Sequence, residues 1–76
     1  MKVKKTFRRG DDSFLVEVSL RIDLFASIDC HWKVSCHRRG KRSRTWTPVP
    51  NSEVPEEWLT ETKNQLLAQI DATFRH

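Results

Sequence analysis

The sequence predicts an α+β domain, an antiparallel β-meander of three to four strands packed on one face by a C-terminal α-helix, in the order ββββα. Three observations carry this. From Phe14 to Leu24, and again from Ile28 to Cys36, apolar residues occupy the even positions, the period of a half-buried strand. Gly10-Asp11 and Phe25-Ala26-Ser27 separate apolar runs by lengths that hairpin loops use. Beyond residue 55 the spacing becomes helical, with Leu59, Leu66, Ile70 and Phe74 on one stripe.

The elements follow in order. Residues 2–9 form an amino-terminal edge strand, because a two-residue turn at Gly10-Asp11 sets Phe7 opposite Phe14 and Val3 opposite Val18. Glycine suits such a turn because it accepts positive φ. Strands at about 14–25 and 28–38 are joined by a three-residue loop, which sets Leu24 opposite Ile28, Leu20 opposite Trp32 and Val18 opposite Val34. A one-residue slip would bring every apolar side chain to the solvent face. A strand at 43–49 is ended by Pro48 and Pro50. If Trp46 faces the core opposite Val34, the loop before it spans 39–41 or 38–42. A helix over 55–75 begins with Pro55 in its first turn, capped by Ser52 or Asn51, with Glu53, Glu56, Glu57 and Glu61 at its positive end. Trp58, Thr62 and Leu67 flank its apolar stripe.

The chain has 76 residues, which is one domain near the lower limit of what folds without disulfides, metal or a partner. A hydrophobic fraction of 37%, with three Trp and four Phe, allows a thin two-layer core and little room for an enclosed substrate pocket. Nothing approaches the ~20 apolar residues that span a bilayer. Met1-Lys-Val-Lys-Lys imitates the start of a signal peptide, yet Arg8-Arg9-Gly10-Asp11-Asp12 stands where its apolar region belongs. The expected compartment is the cytoplasm, with no membrane partner.

Metal and catalytic chemistry fare poorly. Cys30-His31 and Cys36-His37 resemble ligand pairs, but neighbours on a strand point to opposite faces. Cys30 and Cys36 share a face about 20 Å apart at ~3.3 Å per residue, too far for a disulfide or one zinc tetrahedron. Both are read as buried thiols, and His31 and His37 as solvated. Two glycines make no phosphate-cradling loop, the serines have no base beside them, and Asp11-Asp12 is turn chemistry. A non-enzymatic binding protein is expected, without cofactor, metal or small-molecule substrate.

Charge is the informative feature. The net charge is +4, but residues 1–50 carry +7 and residues 51–76 carry −3. No acid occurs from Cys30 to Ser52, and five of the seven residues from Arg38 to Arg44 are cations. Arg38, Arg39, Lys41, Arg42 and Arg44 would form a projecting hairpin tip able to grip a phosphate backbone. Lys4, Lys5, Arg8 and Arg9, with Lys2, form a second patch. Glu17, Asp23 and Asp29 on the exposed odd face would repel phosphates, which concentrates expected binding at the tip and the amino-terminal strand. Trp32 and Trp46 fall on the apolar parity and are expected in the core.

Three antiparallel strands followed by a helix, with the stretch Trp32-x-Val34…Gly40-Lys41-Arg42, resemble the AP2 and integrase amino-terminal type of DNA-binding domain. That resemblance implies nucleic-acid binding. The alternative partner is an acidic protein surface. Short length and segregated charge resemble phage and mobile-element accessory proteins, including those that block a host defence enzyme. A merely solvated tip is the third reading. The edge strands at 2–9 and 43–49 are open to pairing between chains as a homodimer.

Overall fold

In the computed structural model the described residues are 1–23 and 29–74, without the side chains of residues 22, 23, 29, 30 and 74. The pairing of Leu24 with Ile28, the loop at 25–27 and the side chain of Cys30 lie outside the described residues.

Four strands form one antiparallel sheet in sequence order: β1 (Lys2–Arg9), β2 (Asp12–Asp23), β3 (Asp29–Arg39) and β4 (Thr47–Val49). A 3-10 turn at Asn51–Glu53 leads to the helix α1 (Glu56–Phe74). The ββββα fold is therefore as the alternation predicted. Val3 opposes Val18 and Phe7 opposes Phe14, while Val18 opposes Val34 and Leu20 opposes Trp32. Gly10 holds φ at 61°, and Asp11 has no positive φ. That pattern is the II′ hairpin turn, which favours glycine at its first central position. Gly10→Ala, with nothing within 4 Å of the added Cβ, costs about 1–3 kcal/mol from backbone strain alone, because this positive-φ turn position is one that L-residues rarely adopt. A urea titration with an unchanged m-value would read that loss.

Helix α1 packs on β1 and β2. Val3, Val16, Val18, Leu20, Cys36, Val54 and Leu66 make the buried core, with Phe7, Phe14, Trp58, Leu59 and Ile70 packed against it. Trp58 stacks on Phe7 at 4.9 Å and lies tilted against Phe14 at 5.1 Å. Thr62 is fully buried, and its Oγ1 donates to the Trp58 carbonyl at 2.7 Å, so its hydroxyl is satisfied.

Three local expectations are corrected. Strand 43–49 shrinks to Thr47–Val49, with Cys36 opposite Val49, His37 opposite Pro48 and Arg38 opposite Thr47. Trp46 therefore does not oppose Val34, and the loop runs through residues 40–46 instead of 39–41 or 38–42. The reason is parity. Setting Trp46 against Val34 would place Arg44 against Cys36 on the core face, where an unpaired cation is costly. The observed register puts Val49 there instead.

Trp32 has the expected parity but is 41% exposed, because α1 covers β1 and β2 and leaves this end of β3 open. The Lys63 ammonium lies 5.8 Å from its ring. Neither Asn51 nor Ser52 caps the helix. Val54 is buried and extended, as the residue before proline prefers, so α1 starts only after Pro55. Asn51 instead donates from Nδ2 to the Val34 carbonyl at 3.3 Å. The short β4 also leaves the edge of β3 from Asp29 to Ser35 without a strand partner among the described residues.

Candidate nucleic-acid interface

The interface is assembled by register. In β2, Ser13 pairs with both Arg8 of β1 and Arg39 of β3. Alternation puts the helix on the face of Val3, Val16 and Val18, so Arg8, Ser13 and Arg39 form a row on the opposite, open face. Trp46 adds itself to this row from the far side. The Arg39 guanidinium lies 4.8 Å from the Trp46 ring centroid, close enough for a cation–π contact. The half-buried ring stands outside the core cluster.

Residues 40–46 form an organised loop. Ser43 N–H donates to the Gly40 carbonyl at 3.1 Å, closing a turn with Lys41 and Arg42 at its centre. Thr45 N–H donates to Ser43 Oγ at 3.2 Å, and that hydroxyl donates to the Thr45 carbonyl at 3.3 Å. Lys41, Arg42 and Arg44 are exposed around this turn. Arg38 and Arg39, read from the sequence as tip residues, belong to β3 and point to opposite faces. Arg38 lies on the helix side, beside Phe14. Arg9 is also on that side, with its guanidinium 5.5 Å from the Trp58 ring.

The hairpin turn at Gly10 and the basic loop therefore lie at the same end of the sheet. Arg8, Arg9, Arg38, Arg39, Lys41, Arg42 and Arg44 gather there against Asp11 and Asp12. None of the seven forms an ion pair among the described residues, where the ion pairs are those of Lys2, Lys4 and Lys5. Lys5 points to the helix side and is held by Glu61, with its ammonium 5.6 Å from the Phe7 ring. Lys4 stands on the open face.

The acid nearest this basic end on the open face is muted. Glu17 meets Lys2 at 3.0 Å and Lys4 at 3.9 Å. The hydrogen bond from Lys2 holds its carboxyl below the usual value, against slight desolvation, and the charges of Lys2, Lys4 and His37 act in the same direction. Asp23 and Asp29 oppose each other at the far end of the β2–β3 ladder. The open face near the loop is thus positive. Cys36, on the core face, is 2% exposed, and burial pushes its thiol up, as expected of an inert buried cysteine. His37 lies on the other face, beside Leu15.

Fold and surface together define a small ββββα domain with a sheet face that no helix covers among the described residues and a basic end that carries a half-buried tryptophan. No family model, curated protein or solved structure matches the chain. No helix among the described residues is long and apolar enough to cross a membrane. Trp46 is the site residue that sequence reading placed elsewhere. A usable signal was present in its neighbour: Arg44 shares its parity, and both could not face the core.

Proposed function

We propose that this protein is a non-enzymatic nucleic-acid-binding domain that contacts phosphates with the basic end of its sheet and bases with Trp46. One observation carries the reading. Seven cations from β1, β3 and the 40–46 loop converge without ion pairs, and an aromatic ring stands among them on the open face. Cations alone would suit an acidic protein equally well. The ring beside Arg39 favours nucleic acid, because bases stack on aromatic and guanidinium planes while a carboxylate surface offers nothing to stack.

Binding of the wild-type protein to generic duplex and single strands across a salt series tests this. For duplex DNA, engagement of four or five of the cations gives a slope of about −4 in log K against log salt. Absence of binding to either form at low salt, with a defined complex on an acidic protein, would replace this reading by the protein-partner one.

Trp46→Ala separates the ring's two assignments. As a stacking residue its loss weakens single-strand binding by about 1–3 kcal/mol. Thermal stability should change by less than about 1 kcal/mol, because the ring is outside the core, whereas a core tryptophan costs roughly 3–5 kcal/mol.

A further inference from the structure

On the helix side of the basic end an open cleft of about 310 Å³ is bordered by Arg9, Phe14, Arg38, Val49, Pro50 and Glu53. Three separate parts of the chain build it. Phe14 and Arg38 are cross-strand partners, and Glu53 comes from the 3-10 turn across from them. Arg9 is braced by an aromatic stack: its guanidinium lies over Trp58, which in turn contacts Phe7 and Phe14. Bracing of this kind reduces the side-chain freedom that binding would otherwise remove.

Arg9 and Arg38 line the same cleft as Glu53, yet neither forms an ion pair with it. The cleft therefore offers two guanidinium forks and a separate acceptor. Guanidinium forks match phosphate oxygens. Glu53 needs a donor, which a fully ionised phosphate lacks and a nucleotide supplies through ribose hydroxyls or base amino groups. A phosphate monoester carries about −1.5 to −2 at neutral pH and can engage both arginines, although Glu53 leaves the cleft a formal +1, whereas an internal diester carries a single charge. The volume lies at the small end of ligand sites, roughly 300 Å³.

We propose that this cleft holds the phosphorylated terminal nucleotide of a bound strand. Arg9 and Arg38 take the phosphate, Phe14 faces the base, and Glu53 accepts from a hydroxyl or amine. This rests on the nucleic-acid reading for the source of the nucleotide, and the experiment separates the two.

Single strands of about ten nucleotides, within the site size of such binders, are compared with a 5′-phosphate, a 3′-phosphate or hydroxyls at both ends. AMP and inorganic phosphate serve as competitors. One phosphorylated end should bind about tenfold tighter than the hydroxyl-ended strand, the scale of a charged hydrogen bond. Arg9→Gln and Arg38→Gln should each abolish that preference, so that phosphorylated and hydroxyl-ended strands bind equally, over and above the general loss that removing one cation of the basic end brings to every strand. Glu53→Ala, which removes the acceptor, should weaken competition by AMP relative to inorganic phosphate. Arg38 is exposed and makes no ion pair, so its variant carries the test even if Arg9→Gln loses its fold by circular dichroism. Equal affinity for all three strands overturns the cleft assignment and leaves the interface reading standing. AMP competing as well as the phosphorylated strand overturns the strand-end source. Failure of every strand to bind overturns both readings.

Discussion

Leu66→Ala is expected to lower stability by about 3 kcal/mol, within the range for emptying a buried leucine site. Leu66 is 1% exposed and belongs to the same core cluster as Val16 and Val18. The layer is thin, and few neighbours can move to fill the void. A domain of this size has a total stability of roughly 4–11 kcal/mol, so the loss is a large fraction of it. In a thermal melt the midpoint should fall by about 12–24 °C, from 4–8 °C per kcal/mol for small domains. Leu67→Ala is the internal control. Its side chain is 47% exposed, one position further round the helix, and truncation should cost under about 1 kcal/mol. Equal effects at the two positions would mean that α1 docks through a different stripe.

The second large effect concerns binding. Replacing Arg39, Lys41, Arg42 and Arg44 together by serine should reduce duplex affinity on the order of 10³-fold or more at 0.1 M salt. The salt slope should become shallower by about three to four, since each phosphate contact contributes about 0.9. Folding should be nearly untouched. All four side chains are exposed, none is ion-paired among the described residues, and the hydrogen bonds of the loop come from Ser43, Thr45 and Gly40. Arg9 and Arg38 are left in place, so the cleft keeps its two guanidinium groups. An unchanged slope in a folded quadruple variant would remove the loop from the interface and with it the proposed mode of binding.

The interface divides into what the sequence made legible and what it did not. The cation cluster at residues 38–44 is visible as composition, because five charges in seven residues cannot be buried. The approach of Arg8 to Arg39 is legible as well, once Ser13 is recognised as the residue that both oppose. The position of Trp46 was legible only through its neighbour Arg44. Tryptophan on an apolar parity reads as core, and the competing cost, Arg44 opposite Cys36, appears only when the register of the fourth strand is weighed against the third. The separation of Arg38 from Arg39 was hidden for a related reason. Adjacent residues of a basic run look alike until one knows that the strand continues through both and sends them to opposite faces.

By itself, the sequence determined the strand order, the two long registers and the helix, because the period-two and period-3.6 apolar patterns choose the buried faces and the hairpin loop lengths choose the registers. Only the tertiary structure decided how far the helix reaches across the sheet, and so why Trp32 stays half-exposed while Val16 and Val18 are sealed. It also decided that β4 is three residues long, which frees Trp46 to stand over Arg39 and opens the cleft between Arg9 and Arg38. Those outcomes depend on packing between elements distant in sequence, where Val49 comes to oppose Cys36 and Val54 joins the core cluster, which no single segment's pattern encodes.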